Sequence, residues 1–259
     1  MRIELVKLDI KEPIAWVTID NPPMNALGDQ AKEDLGRIFD HLETNKTRIR
    51  VVILTGKGKA FVAGSDIEKF VHLDASQATA QSLKTQKLFR QVETFERPTI
   101  CAINGYCFGA GLELAMCCDI RMTSESAVLG HPEVDLGIIP GAGASQRLPR
   151  LVGMGRTKEL ILSGRRIKAA EALRIGLVEM VVSQESLLVE AQKMAERIAA
   201  KGPLAVAAAK RVLNQGWAMA IEEGLEMESR VWGSLFDSKD QKEGVQAFLE
   251  KRPPQFKGE

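Results

Sequence analysis

The chain has 259 residues, 45% of them hydrophobic and 27% charged, and a formal net charge of +1. That balance excludes a disordered chain. With no Lys/Arg cluster along the sequence, it offers nucleic acid no basic surface to bind. The length suits one large domain, or one domain with a helical extension. No stretch reaches the length of a membrane span, and residues 1–9 alternate apolar and charged, so neither a membrane helix nor a secretory signal is expected. Cys101, Cys107, Cys117 and Cys118 fall in one apolar neighbourhood without a Cys-x-x-Cys or a Cys/His ladder. They read as reduced, buried thiols of a cytoplasmic protein, with no metal site.

In chain order, Ile3–Ile10 alternates as a strand, Lys11-Glu-Pro13 suits a hairpin loop, and Ile14–Ile19 reads as the partner strand. Asn21-Pro-Pro23 stops it, since proline cannot donate to a ladder. Gly28–Thr44 reads as an amphipathic helix with Leu35, Ile38, Phe39 and Leu42 on one face. Arg50–Thr55 is a buried strand. A small-residue turn, Ala60-Phe-Val-Ala-Gly-Ser-Asp-Ile67, follows it. Residues 68–96 are helical in pattern, except that Asp74–Thr79 lacks an apolar stripe and reads as a mobile loop. Thr99–Ile103 is a buried strand that leads into Gly109-Ala-Gly111 and a helix. Asp119–Thr123 and Ala127–Gly130 read as strands, and His131–Pro140 as irregular. Gly141-Ala-Gly143 then opens another helix. From Thr157 the pattern is mainly helical. The last two helices, Ala220–Phe236 and Lys239–Lys251, show more apolar surface than a loose tail needs. Strand and helix alternate, so the fold class is α/β with crossover connections.

Several chemistries fall away. Gly109-Ala-Gly-Leu-Glu-Leu lacks the third glycine of a dinucleotide fingerprint. There is no Gly-Lys-Ser/Thr phosphate loop and no Gly-x-Ser-x-Gly elbow, and His41, His72 and His131 form no visible triad. Two carboxylates remain, Glu113 and Glu133, together with two glycine-rich turns. A turn entering a helix aims free N–H groups forward, where the helix dipole favours negative charge. Two such donors can stabilise an enolate-like oxygen, each worth ~3 kcal/mol. Two carboxylates can move protons beside it. Taken alone, each turn reads equally well as architecture.

The ordered motifs are more specific. They are Asn21-Pro-Pro-Met-Asn-Ala-Leu27, Ala60–Ile67, Pro98-Thr-Ile-Cys-Ala-Ile-Asn-Gly105, Gly109-Ala-Gly-Leu-Glu-Leu-Ala115, Cys118-Asp-Ile120, Pro132-Glu-Val-Asp-Leu-Gly137, Pro140-Gly-Ala-Gly143 with Gln146-Arg-Leu148, and Ala169-Ala-Glu-Ala172 before Gly176-Leu-Val178. In this order and over essentially the whole chain, the sequence resembles the enoyl-CoA hydratase/isomerase (crotonase) superfamily, and its hydratases most.

The resemblance implies a crotonase-like spiral of ββα units over residues 1–200. It further implies a C-terminal helical trimerisation region over 201–259, giving a homotrimer or a homohexamer of paired trimers. It implies a hydro-lyase of the β-oxidation type that reversibly adds water, syn, to a trans-2-enoyl-CoA. No cofactor is implied, since CoA belongs to the substrate. Glu113 and Glu133 would be the catalytic pair, with Glu113 ionised at the start of its own helix and accepting the water proton, and Glu133 delivering a proton to C2. Backbone N–H groups of Ser65 and Ala110 would form the oxyanion hole, and that of Gly141 would help hold the water. Ala63, Asp66, Ile67 and Glu68 would border CoA, and Lys257 would approach its phosphates. Ser65 is a common small replacement for alanine. Ala110 stands where glycine is commoner, so a left-handed backbone would be disfavoured there. His131 stands where many hydratases carry glutamine. The alternatives are a double-bond isomerase, a hydratase for a cyclic or otherwise unusual acyl-CoA, or a non-catalytic CoA-ester or RNA-binding role.

Overall fold

The computed structural model describes residues 3–259. Strands β1 (Val6–Lys11) and β2 (Ile14–Ile19) pair antiparallel across the expected hairpin, and β1 begins three residues later than the alternation suggests. Helix α1 (Asp29–Thr44) buries Leu35, Ile38, Phe39 and Leu42, as its periodicity requires. β3 (Val51–Gly56) then joins β2 in parallel and passes directly into a short strand, β4 (Ala60–Val62).

Asn25 and Asn104 hold the connection between these two strands. Their side-chain amides reach Lys57 O at 2.9 Å and Gly58 O at 3.0 Å, and both donate to Ala60 O. The asparagines of the Asn21–Leu27 and Pro98–Gly105 motifs therefore satisfy the turn's carbonyls, the buried one of Ala60 included.

The remaining elements repeat this unit. A 3₁₀ turn, Glu68–His72, precedes α2 (Ala75–Thr94). β5 (Thr99–Ile103) runs into β6 (Tyr106–Phe108) and α3 (Ala110–Ala115). β7 (Ile120–Ser124) runs into β8 (Val128–Gly130), a 3₁₀ turn Pro132–Leu136, then α4 (Ala144–Val152) and α5 (Met154–Ser163). β9 (Arg166–Lys168), α6 (Ala169–Arg174) and β10 (Met180–Val182) complete the strands. In the three pairs β3/β4, β5/β6 and β7/β8 the first strand joins a six-stranded sheet in the order β1-β2-β3-β5-β7-β10, and the second joins a four-stranded sheet in the order β4-β6-β8-β9. The chain thus climbs as successive ββα turns, parallel within each sheet except at β1–β2 and β8–β9.

At the middle of the larger sheet both faces are covered, so β3 and β5 are buried along their whole length and mostly apolar. Along β3, Val52 and Leu54 face the main core, while Val51 and Ile53 face α7 (Leu187–Ala199). α7 meets them with Leu187, Ala191, Ala195 and Ala199, a stripe spaced every four residues that lets the helix lie close to the sheet.

Helices α8 (Pro203–Gly216), α9 (Ile221–Ser234) and α10 (Lys239–Leu249) follow. Buried Lys210 ties α8 to the core through Asp119 at 2.7 Å and Arg97 O at 3.0 Å. Beyond that tie, Leu213, Trp217, Ile221, Trp232, Phe248 and Leu249 are all exposed. All four cysteines are buried and free.

The structure departs from the sequence expectation in two places. The short strands β4, β6, β9 and β10 are too brief for alternation to reveal. Asp74–Thr79 is not a mobile loop but the start of α2, where the Asp74 carboxylate accepts from Gln77 N at 2.8 Å and Gln77 Oε1 accepts from Asp74 N at 3.0 Å. This reciprocal cap nucleates a helix whose first turns lack an apolar stripe because they are exposed. Asp74→Ala is expected to lower stability by about 1 kcal/mol, while Asp74→Ser stays near wild type. Urea midpoints measure this, and identical midpoints for all three proteins would refute the capping role.

Candidate active site

The first small-residue turn leaves β4 at Ala63–Ile67, and the segment before α1 pins it. Leu27 N–H donates to Gly64 O at 2.9 Å, and Ala63 N–H donates to Met24 O at 3.1 Å. The second turn leaves β6 at Gly109, which takes a left-handed φ of +51° so that Ala110 can open α3 in ordinary helical geometry. The strained residue is thus the glycine, and alanine at 110 carries no penalty. Among the described residues, the N–H groups of Ser65 and Ala110 donate to no acceptor within the chain.

The third turn, Gly141–Gly143, is held from three sides. Gly141 O accepts from Ser82 Oγ at 2.6 Å and from Gln86 Nε2 at 2.9 Å, both on α2. Arg147 donates to Ala142 O at 3.1 Å and forms a bidentate pair with Glu93 at 2.9 and 3.0 Å. Gly143 caps α4 with φ +119°, and a Cβ there would meet Arg147 Nη1 at 2.0 Å, so only glycine fits. So fixed, the turn aims two N–H groups at one atom. Ala142 N and Ala144 N donate to Glu113 Oε1 at 2.7 and 3.0 Å.

Glu113 is 2% exposed. Burial is the main force on its carboxyl and pushes its pKa above the ordinary glutamate value. The Ala144 bond, the electrostatic influence of His131 and the Ala142 bond oppose that rise, and Glu133 adds to it. The expectation that its own helix would favour the ionised form is therefore corrected. α3 is only six residues long and Glu113 is its fourth, so the donors come from the start of α4 instead.

Glu133 lies on the Pro132–Leu136 turn, with Oε1 3.4 Å from His131 Nδ1. It also lies against the second turn, since a Cβ on Gly109 would come within 3.1 Å of that oxygen. Glu133 Oε2 and His131 Nε2 are buried, with no hydrogen-bond partner among the described residues. His131 itself is buried beside Glu133 and does not line the cavity, whereas His41 and His72 are exposed.

These pieces border one cavity of about 850 Å³, formed between the three turns, α1 and α2. It brings together Ala63, Ser65, Ile67, Ala110, Glu113, Glu133 and Gly141 from the sequence reading. Asp66 and Glu68 lie off its wall. Asp66 sits beside Gly28 at the start of α1, and Glu68 is exposed. Lys257 is remote and exposed, its N–H donating to Asp240 at 2.7 Å. The sequence reading missed Ala142 and Ala144 as donors. It also missed Lys32, a cavity-lining cation three residues before Leu35 on the buried face of α1. A charge interrupting an apolar stripe was the available signal. Among the described residues, no group of three or more His, Cys, Asp or Glu could hold a metal ion.

A carboxyl with a raised folded-state pKa favours folding in its protonated form. That contribution is complete at low pH and is lost as pH rises through the folded pKa. Glu113→Gln keeps an oxygen for both N–H donors and never ionises. It is expected to melt above wild type at neutral pH, with the gap closing as the pH falls into the ordinary glutamate range. A gap that is absent, or that does not change with pH, would contradict a buried, ionising Glu113.

The sequence profile described as enoyl-CoA hydratase/isomerase matches residues 9–259. A crotonyl-CoA hydratase of Syntrophomonas wolfei is 44% identical over 260 residues, covering 99% of each chain. A short-chain-enoyl-CoA hydratase of Clostridium acetobutylicum is 42% identical, covering 97% of each. The crystal structure of an enoyl-CoA hydratase from Bacillus anthracis superposes with a TM-score of 0.95 at 41% identity, over 99% of this chain and all of that one. The ββα spiral, its three pinned turns and these full-length likenesses agree that the chain belongs to the enoyl-CoA hydratase/isomerase family.

Proposed function

We propose that the protein is an enoyl-CoA hydratase, reversibly adding water across the double bond of a trans-2-enoyl-CoA to give a 3-hydroxyacyl-CoA. One observation carries this reading. Two carboxylates from separate elements and two N–H groups without internal acceptors border the same cavity. The names of the full-length relatives support it.

In this reading the thioester oxygen lies between the Ser65 and Ala110 N–H groups, which stabilise it as C2 gains electron density. Glu113 takes a proton from water as the water oxygen bonds to C3. The two N–H bonds on its Oε1 hold the carboxylate in place and leave its other oxygen for the water. Glu133 supplies the proton that C2 receives, on the same face, which makes the addition syn. Burial that raises the Glu113 pKa makes it a stronger base than a solvated glutamate. Gly141 has the place assigned to a water-holding N–H, but the turn's donors to Glu113 are its neighbours Ala142 and Ala144. No cofactor enters this reaction.

The exposed apolar residues of α8–α10 suit burial between subunits, and we propose a homotrimer, or paired trimers, built on that surface. Asp66, Glu68 and Lys257 keep only their proposed role toward CoA, at the edges of the site or from a neighbouring subunit. Among the described residues, no helix is long and apolar enough to cross a membrane.

Crotonyl-CoA absorbance is expected to fall on adding the protein, with Glu113→Ala and Glu133→Ala each slowing turnover by about 10²–10⁴-fold. Unchanged turnover in either variant would remove that residue from the mechanism. A 3-enoyl-CoA converted with no hydroxyacyl product would replace hydration by isomerisation. For the assembly, light scattering is expected to give three or six times the chain mass, and Trp232→Glu with Phe248→Glu to give smaller species. A wild-type monomer would overturn the trimer.

A further inference from the structure

Lys32 is the fourth residue of α1, only 7% exposed, and its side chain borders the cavity. Three circumstances oppose a charge there. Burial strips its ammonium of water and pulls its pKa below the ordinary lysine value. The first turn of a helix disfavours a cation. Lys69 and Lys84 lie near enough to repel it.

Buried lysines are normally paired, and this chain shows the rule at Lys210, which has Asp119 at 2.7 Å and Arg97 O at 3.0 Å. Lys32 breaks it. Among the described residues, its ammonium has no hydrogen bond and no ion pair. The nearby acids are engaged elsewhere. Asp29 pairs with Lys69 at 2.9 Å, and Glu33 faces Lys84 at 3.7 Å and Arg37 at 3.8 Å. Asp29 attracts Lys32 most and Glu113 less, both through space without a contact, and Glu113 holds its own two N–H donors. The other cation on the cavity wall, Arg166, is exposed, lies 4.0 Å from Asp135 and stacks over Phe108.

A desolvated ammonium opening onto a substrate cavity lacks an anion that the chain does not supply. We propose that Lys32 receives a carboxylate at the far end of the acyl chain, so that the site takes a short enoyl thioester of a dicarboxylic acid in preference to a plain fatty enoyl thioester. The inference rests on reading the cavity as an acyl-CoA site. Lys32 and Glu113 line the same cavity. Its burial sets it apart from a surface cation that would meet CoA phosphates. A phosphate contact would strengthen every CoA ester alike, whereas an acyl carboxylate contact discriminates among acyl groups.

The test uses saturated thioesters, which bind without needing turnover. Dissociation constants of succinyl- against butyryl-CoA, glutaryl- against pentanoyl-CoA, and adipoyl- against hexanoyl-CoA are measured by calorimetry on the wild-type oligomer, Lys32→Met and Lys32→Arg. At one or more lengths, wild type is expected to bind the carboxylate-ended ester about 10- to 100-fold more tightly than its apolar partner. Lys32→Met reverses the preference and Lys32→Arg keeps it. No carboxylate preference at any length, or equal weakening of both esters in Lys32→Met, overturns the proposal, the second result marking a phosphate contact. Folding of the variants is checked by their melting, and Lys32→Met, freed of a buried charge, is expected to melt no lower than wild type. Crotonyl-CoA hydration is assayed alongside. A carboxylate preference without hydration fails the hydratase reading alone, hydration without a preference fails the Lys32 assignment alone, and no binding of any thioester fails both.

Discussion

The site depends on one buried oxygen. Glu113 Oε1 takes two backbone N–H groups from a turn that belongs to a different ββα unit, nearly thirty residues further along the chain by sequence separations of 29 and 31. A carboxylate at 2% exposure is costly unless it is hydrogen-bonded. The Gly141–Gly143 turn provides those bonds only because it is itself immobilised. α2 grips Gly141 O through Ser82 and Gln86, and Arg147, locked to Glu93, grips Ala142 O. Three elements distant in sequence thereby fix the direction in which one carboxylate points.

The same logic organises the rest of the cavity. The Ser65 turn is stitched to the segment before α1, and the Ala110 turn is set by the left-handed Gly109 under Glu133. Donors for a developing oxyanion act best when they need no reorganisation at the moment of reaction. Here each turn is braced by backbone bonds or a glycine whose conformation no other residue adopts easily. Stability is spent at the reacting end, where Glu113 is buried with a raised pKa. In the same cavity, Lys32 is buried without a hydrogen bond or ion pair among the described residues. The two groups line the same cavity, and each acts on the other through space.

Much of the fold was legible in the residues. β3 and β5 are buried along their whole length and so appear as nearly continuous apolar runs. α1 shows its stripe of Leu35, Ile38, Phe39 and Leu42. Of the strands of three residues, β8 was legible, whereas β4, β6, β9 and β10 were not, because they are too short for a period to register. The start of α2 was misread because an exposed helix is defined there by its Asp74–Gln77 cap and not by an apolar face. Lys32 was overlooked for the opposite reason: it lies on the buried face of α1, among mostly apolar residues.

The sequence by itself determined the alternation of strand and helix, the three small-residue turns and the two glutamates beside them, since these follow from local periodicity and from residue types with few conformational substitutes. Only the tertiary structure decided which N–H groups meet Glu113, that Gly109 and not Ala110 bears the left-handed backbone, and that Lys32 opens onto the cavity without an anion. Those outcomes depend on the register between ββα units and on burial. Both arise from contacts among residues far apart in the chain, which no local pattern encodes.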